Sequence, residues 1–371
     1  MEIDNKKYPP GSYPDLPPPP GTIGVIGWLK NNLFSSINNS LLTIISIYLV
    51  YLLVDGAINW FVLDAVFDAN DKPSCRKIDD GACWAVITRR VDQFIYGFYP
   101  HLERWRVDLT FIMLFIAAAP LLYPELVFRK YLLWFSGIYP FIAFILIKGG
   151  FFGLELIDTN LFGGAMLTLI IGVTSIACSL PLGIILALGR QSNLRLVKVL
   201  SVCFIEFMRG VPLITLLFVA STMLNYFLPP GTNFNLLVRV IIMMTFFSAA
   251  YIAEVIRGGI QAIPKGQYEA ADAIGLTYWQ TTRFITLPQA LKISIPGIVN
   301  TFIGLYKDTT LVVIIGLLDP LGIGRAALAD TKWNGLSTET YLFVALIFFV
   351  SCFAMSRYSL WLEKKLSTDH K

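Results

Sequence analysis

The stretch PKGQYEAADAIGLTYWQTTRFITLPQA, residues 264–290, is polar, yet it lies between two long apolar runs. Pro264 favours the first turn of a helix, because the amide hydrogen that proline lacks would have no partner there. Gly275 favours a helix end, since glycine readily adopts the left-handed conformation found at such ends. The stretch therefore predicts a short helix, KGQYEAADAI, that begins and ends within a loop.

A second helix is predicted immediately after the first. Thr277 and Gln280 have the spacing of a capping box, which indicates a helix start, and Pro288 predicts its end. Tyr268, Tyr278 and Trp279 add rigid aromatic area of the kind that anchors protein interfaces. Two capped helices predict a docking element outside the bilayer; the alternative is an amphipathic hairpin that only supports the bundle.

The rest of the chain has the composition of an integral membrane protein. Of its 371 residues 56% are hydrophobic and 15% are charged, and the mean hydropathy is +0.65. A helix needs roughly 20 apolar residues to cross a bilayer, and about eight runs approach that length. These runs are Leu41–Leu63, Leu109–Tyr123, Tyr131–Gly149, Leu161–Leu188, Ser201–Leu228, Leu236–Ile256, Ile293–Leu318 and Thr340–Leu362. The second run is the weakest, so seven spans are the alternative.

Basic residues near the span ends predict the orientation. With both termini in the cytoplasm, the inner loops contain Arg129, Lys130, Arg190, Arg195, Lys198, Lys265, Arg283, Lys364 and Lys365. The hydrophilic loop 64–108 also holds basic residues, but it is long and holds acidic residues too, so it is weak evidence for the orientation. The proline-rich segment 8–21 predicts an extended tail, and no cleavable signal peptide is recognisable. A net charge of +4 without a basic stripe gives nucleic-acid binding little support.

The five cysteines fall into two groups. Cys178, Cys203 and Cys352 lie in apolar runs and are interpreted as small buried hydrophobes. Cys75 and Cys83 share the hydrophilic loop, where a disulfide is possible if the loop faces an oxidising compartment; spacing alone leaves the pairing open.

Two pairs of charges recur at the predicted cytoplasmic ends. Glu206 with Arg209, and Glu254 with Arg257, are three residues apart, so each pair shares a helix face. The simpler interpretation is an ion pair wetted by the cytosol; the functional one is a gate on the translocation path or a brace for the polar loop.

Lys307 and Asp308 are predicted near the middle of the run Ile293–Leu318, where a charge marks a pathway or a partnered site. Asp308 is a candidate ligand for a substrate ammonium group, with Thr309 and the upstream Asn300 as polar companions. The alternative is that the charges serve only pairing between helices.

Several kinds of chemistry are not recognisable in the sequence. It has no G-x-x-x-x-G-K-[ST] loop, so it predicts no ATP site in this chain. Its two histidines, His101 and His370, form no metal-binding motif with cysteine, and no G-x-S-x-G elbow occurs. We therefore expect no catalytic residues, no metal site and no cofactor in this chain.

The stretch YEAADAIGLTYWQTTRFITLPQA resembles the EAA motif of permease subunits of ABC importers. The polar amino acid branch is resembled by FIEFMRGVPLITLLF (204–218) and by AAYIAEVIRGGIQAIPKGQYEAADAIG (249–275), which is followed by LPQALKISIPGIVNTFIGLYKDTTL (287–311). The early loop GACWAVITRRVDQFIYGFYPHLERWR resembles the longer M-type subunit of general L-amino-acid transporters. Val211 departs from the threonine that is commoner in RGVPL. The resemblance implies ATPase coupling through Glu269, Ala270, Ala271, Gly275, Leu287 and Pro288.

The resemblance implies an all-α membrane protein of about eight transmembrane helices with a C-terminal five-helix type I ABC permease core. The expected regions are a cytoplasmic tail (1–40), accessory spans with a periplasmic loop at 64–108 (41–150), the permease domain (161–362) with its coupling loop (258–290), and a second tail (363–371). It also implies a bacterial inner membrane location and alternating access to an amino-acid path. A second homologous permease, ATPase subunits that bind ATP and magnesium, a periplasmic amino-acid-binding protein and membrane lipids are the implied partners. The alternative is an ion-driven secondary transporter or channel with Asp308 as its ion site.

Overall fold

The chain is helical almost throughout in a computed structural model, which describes residues 24–366 apart from 79, 124, 224–225, 227–228 and 230–233. The expected proline-rich tail and the end of the fifth apolar run lie outside the described residues. The described α-helices are α1 Gly24–Asn32, α2 Ile37–Ile58, α3 Lys72–Ile78, α4 Ala85–Tyr96, α5 Arg104–Leu122, α6 Arg129–Lys148, α7 Gly164–Gln191, α8 Arg195–Gly210, α9 Leu213–Phe218, α10 Leu236–Gln261, α11 Lys265–Ala273, α12 Tyr278–Thr281, α13 Leu287–Asp308, α14 Pro320–Ala329 and α15 Ser337–Leu366.

The first of two compact units comprises Met1–Phe67 and Pro73–Cys83. Its main element is α2, which the Ser36 side chain caps by accepting a hydrogen bond from the Asn39 N–H. No residue of α2 is buried, and the helix is long and apolar enough to cross a membrane. Cys75 and Cys83 form a disulfide, with their Cα atoms 5.9 Å apart. The pairing that the spacing had left open is therefore present in the structure.

The second unit comprises Asp68–Lys72 and Trp84–Lys371, and α10 lies at its centre between α7 and α13. Small residues permit this close packing. A Cβ on Gly183 would collide with Ile252 of α10, and one on Gly259 would collide with Ser294 and Ala290 of α13. Glycine at such contacts lets the two helix backbones approach closely. In a membrane this packing drives helix association, because lipid tails are as apolar as the side chains and no hydrophobic force brings the helices together.

Helix direction defines two ends of this second unit. Helices α7 and α10 begin at one end, here called the outer end, and finish at the other, here called the base. At the base, the ammonium group of Lys365 lies 2.7 Å from a carboxylate oxygen of Glu125, which joins the end of α15 to the connection between α5 and α6. The basic residues predicted for the inner loops lie in the first or last turns of helices or in the short segments between them, for example Arg129 at the start of α6 and Arg190 in the last turn of α7.

Seven described helical segments are long and apolar enough to cross a membrane, and a bent pair raises the number to eight. This confirms the prediction of about eight spans, including the weakest run, which lies in the segment His101–Leu122. The fifth run is not one straight helix as predicted. Helices α8 and α9 meet at 102°, because Val211 and Pro212 adopt extended backbone angles between them.

A buried arginine supports the second half of this bent pair. Arg239 of α10 is only 7% exposed, and its Nη1 donates to the carbonyl oxygens of Ala220 and Ser221 at 3.0 and 2.6 Å. These carbonyls belong to the π-helix Val219–Met223, which continues α9. The sequence analysis did not single out this charge within the sixth apolar run.

The second helix of the polar stretch does not end before Pro288 as predicted. Helix α12 continues through a π-helix, Thr282–Thr286, into α13, and the candidate span runs over 38 residues from Tyr278 to Ile315. The Leu287 N–H donates to the Thr282 carbonyl, five residues back. This wider turn shifts the hydrogen-bond register just before the proline, so the helix passes a residue that would otherwise break it.

Candidate functional site

The polar loop at the base has the local structure that its sequence predicts. Helix α11 begins after Pro264, and Gly275 has a φ of +76°, which glycine tolerates without strain. Thr277 and Gln280 form a capping box, in which the Thr277 N–H donates to Gln280 Oε1 at 2.9 Å. Each of these features is fixed by neighbours in sequence, which explains why the sequence alone predicts them.

The six residues expected to contact an ATPase fall on different faces of this loop. Glu269, Ala270, Gly275 and Pro288 are exposed, Leu287 is half-buried, and Ala271 is completely buried against the helices. A hydrogen bond of 3.1 Å from Gln289 Nε2 to Gln267 Oε1 connects α13 with α11. Helix α11 is thus fixed to the bundle on one side and open on the other.

Large apolar side chains of the loop and of the helix that follows it are exposed. Ile274 is 73% exposed, Trp279 70%, Phe284 65% and Tyr278 57%. Aromatic residues are enriched in the cores of protein interfaces. This surface, here called the loop surface, therefore has the chemistry of a docking site.

A cavity of about 280 Å³ lies between α11 and the helices behind it. Its lining residues come from the ends of α7 and α10, from α11, and from the α12–α13 helix; they are Leu188, Gln191, Ile260, Tyr268, Asp272, Tyr278, Thr281, Thr282, Thr286 and Leu287. Thr281 is 7% exposed, and its hydroxyl is buried without a hydrogen-bond partner among the described residues. The sequence analysis did not predict this cavity.

An ion-pair network joins three helices at the base. Arg257 Nε lies 2.9 Å from Glu254 Oε2, as their spacing predicts, whereas Arg209 lies 3.9 Å from Glu206. Arg190 of α7 makes the closer contacts: its Nη1 lies 2.8 Å from Glu206 and 2.7 Å from Glu254. The predicted pairs are therefore parts of one network, and Arg190, predicted only as a basic residue of an inner loop, connects them.

The weakly paired Arg209 also contacts an aromatic ring. Its guanidinium carbon lies 5.6 Å from the centroid of Tyr251, within the range of a cation–π interaction. Tyr251 in turn lines a cavity of about 250 Å³ between α10 and α13. The network at the base is thus adjacent to this second cavity.

The second cavity contains Asp308. Its other lining residues are Phe247, Ser248, Tyr251, Thr301, Gly304 and Leu305. The Ser248 hydroxyl is buried and has no hydrogen-bond partner in the structure. An acidic group, two alcohols and a phenol ring facing an apolar wall suit a small polar ligand with a positive group.

The structure does not bring Asn300 and Thr309 into this cavity with Asp308. Asn300 is exposed, and Thr309 is completely buried with its hydroxyl donating to the Tyr306 carbonyl at 2.7 Å. Asp308 also lies nearer one end of its span than the predicted middle. The reason is that the helix starts at Tyr278 and the span ends in a 3₁₀-helix, Thr309–Ile315.

Residues 179–368 match the family model of the binding-protein-dependent transport system inner membrane component. The chain belongs to this family. It is a multi-pass protein of the inner membrane, and the match spans the elements from the second half of α7 to the end of α15. The expected permease core thus lies in this family, although the matched region starts later than residue 161.

Two curated relatives are similar along nearly their whole length. The glutamate/glutamine/aspartate/asparagine transport system permease protein BztC of Rhodobacter capsulatus is 47% identical, over 96% of each chain. The inner membrane amino-acid ABC transporter permease protein YhdY of Escherichia coli is 48% identical, over 96% of this chain and 97% of the relative. A crystal structure of an amino acid ABC transporter with histidines is 30% identical, covers 54% of this chain and 91% of its own, and has a TM-score of 0.49.

Proposed function

We propose that this chain is the permease subunit of an ATP-driven amino-acid importer and that it couples to a separate ATPase through α11 and the loop surface. The observation that carries the proposal is the position of α11, which is fixed to the bundle at Ala271 and exposed at Glu269 and Ala270. An element held on one side and open on the other can transmit the movement of a partner.

The transport cycle follows from this arrangement. ATP and magnesium bind to the ATPase subunits, whose closure displaces α11. Because Gln289 and the continuous α12–α13 helix connect this loop to the span that carries Asp308, the displacement tilts that span as a rigid body. Alternating access requires two discrete arrangements, and the ion pairs of Arg190 with Glu206 and Glu254 hold one of them.

The remaining partners follow from the family and the relatives. A periplasmic binding protein delivers the substrate at the outer end, and a second homologous permease completes the path. The names of both curated relatives support amino acids as the substrate class. Asp308 faces the substrate ammonium group from the second cavity, with Ser248 and Thr301 as neutral contacts.

Co-purification with the ATPase tests the proposal. The tagged chain, expressed with the ATPase of its transport system, is expected to retain that ATPase, and Glu269→Arg is expected to abolish retention. Glu155→Arg is the matched control, because Glu155 is exposed at the outer end. Full retention or full uptake by the Glu269 variant would contradict coupling through α11.

An ion-gradient-driven transporter is the second candidate, favoured by the acidic cavity at Asp308. Proteoliposomes separate the two mechanisms. Uptake that continues without ATP and stops when an ionophore collapses the gradients supports the second candidate. Uptake that needs ATP and survives the ionophore supports the importer.

A further inference from the structure

We propose that the cavity behind α11 is a socket for a basic side chain of the ATPase subunit, with Asp272 as the group that pairs with it. The inference rests on the proposed function and specifies the chemistry of the same docking site. It concerns the edge of α11 that borders the cavity, where Tyr268 is half-buried and Asp272 is exposed, whereas Glu269 and Ala270 do not line the cavity.

The chemistry of the wall favours a cation. Asp272 is the only charged side chain among the described lining residues, so the wall has a net negative charge. The buried Thr281 hydroxyl has no hydrogen-bond partner in the described part of the chain and can accept a hydrogen bond from a guanidinium or ammonium group. Tyr268 and Tyr278 add ring faces, which attract cations.

The shape of the cavity favours a long side chain. Leu188, Ile260 and Leu287 provide an apolar wall for the methylene stem of a lysine or arginine. A volume of about 280 Å³ is large enough for one such side chain. Tyr278 also belongs to the exposed loop surface, so the cavity is continuous with the proposed interface and a side chain can enter from the docked ATPase.

An occupant of this socket would contact both the loop and the bundle. The lining residues Leu188 and Gln191 end α7, and Ile260 lies near the end of α10, whereas Asp272 belongs to α11. One side chain of the ATPase would thereby contact three elements that must move together. The socket therefore supplies a second mechanical link beside α11 itself.

Salt-dependent binding tests the socket. The complete chain with its ATPase is compared with three variants: Asp272→Asn removes the charge, Thr281→Met fills the cavity with the charge intact, and Glu155→Gln is the control. Glu155 is exposed at the outer end, away from α11, and does not line the cavity. Affinity for the ATPase is measured for each at several sodium chloride concentrations.

We expect Asp272→Asn and Thr281→Met each to weaken ATPase binding about tenfold, because the first removes the charge and the second blocks the entry of the basic side chain that would pair with it. Binding by Asp272→Asn should also depend less on salt, and Glu155→Gln should bind like the wild type. Unchanged binding by both cavity variants, with a wild type that retains its ATPase, overturns the socket alone. A wild type that retains no ATPase overturns the proposed function and the socket together.

Discussion

Arg190 is the residue on which the ion-pair network at the base depends. It bridges Glu206 of α8 and Glu254 of α10, and the Glu254 side chain is only 15% exposed. Its position in the last turn of α7 is also favourable, because the C-terminal end of a helix attracts positive charge. A single side chain thus holds three helices together where the proposed motion begins.

Replacing Arg190 should therefore destabilise the protein more than replacing Arg209. Arg190→Met leaves a mostly buried carboxylate without its closest cation, which should lower the free energy of unfolding by about 2 kcal/mol. Arg209→Met should cost about 0.5 kcal/mol, because its ion-pair distances are 3.9 and 4.0 Å. Denaturant unfolding of both variants in detergent measures the difference. Equal losses would show that Arg190 is not the central residue.

Asp319 provides a pH-dependent prediction at the outer end. It caps α14, where its Oδ1 accepts a hydrogen bond of 2.9 Å from the Gly322 N–H. Burial raises its pKa from 3.8 to about 6, although backbone hydrogen bonds and Arg325 act in the opposite direction. The folded state therefore binds the proton more tightly than the unfolded state does.

The sign of the pH effect follows from this raised pKa. The contribution of protonated Asp319 to the free energy of unfolding is complete below pH 3.8, and it is lost as the pH rises through about 6. Asp319→Asn keeps a side-chain oxygen for the cap and removes the titration. Between these pH values, the wild type should lose about 3 kcal/mol of unfolding free energy relative to the variant. Parallel pH profiles of the two proteins would contradict the raised pKa.

Individual charges could be predicted from the sequence only in part. The spacing of Glu254 and Arg257 places both on one helix face, and the structure has that contact. The contacts of Arg190 and Arg239 join helices that are distant in sequence, so no local pattern indicates them. Asn300 and Thr309 do not line the cavity that contains Asp308, and Thr309 begins the 3₁₀-helix that follows α13; their predicted contact with a substrate stays a prediction.

At the scale of elements, the capping box at Thr277 and Gln280 determines where the α12–α13 helix begins. Gln280→Ala removes the acceptor of the Thr277 N–H and should increase hydrogen exchange of the backbone amides at residues 277–280 about fivefold, equivalent to about 1 kcal/mol. Gln280→Glu retains a suitable acceptor and should restore the slow exchange. Mass spectrometry of peptides from this loop measures both variants. Identical exchange in all three proteins would mean that the capping box does not stabilise this turn.

Helix starts were easier to predict than helix breaks in this chain. The capping box at Thr277, like the helix end at Gly275, depends only on residues that are close in sequence. The two prolines, Pro212 and Pro288, have opposite effects on the course of their helices. Pro212 follows the extended Val211, and the helix direction changes by 102°. Pro288 follows a π-helix that adjusts the hydrogen-bond register, so the helix continues. A proline alone does not indicate which of these two outcomes applies.

At the scale of the whole molecule, the two ends of the second unit differ in the side chains that they present. The base holds the basic loops, the ion-pair network, α11 and the loop surface. Composition and the ends of apolar runs predicted the membrane location and about eight spans. The two cavities could not be predicted, because each is formed by helices that meet only in the folded chain.

The central claim is that an ATPase binds α11 at the base, and site-specific photo-cross-linking tests it most directly. The photoreactive amino acid p-benzoylphenylalanine replaces either Ala270 on α11 or Leu102 at the outer end. Both native residues are exposed, Leu102 to 88%. In membranes that contain the complete transport system, light should join position 270 to the ATPase and should not join position 102 to it. An ATPase adduct at position 102, or none at position 270, would contradict the claim.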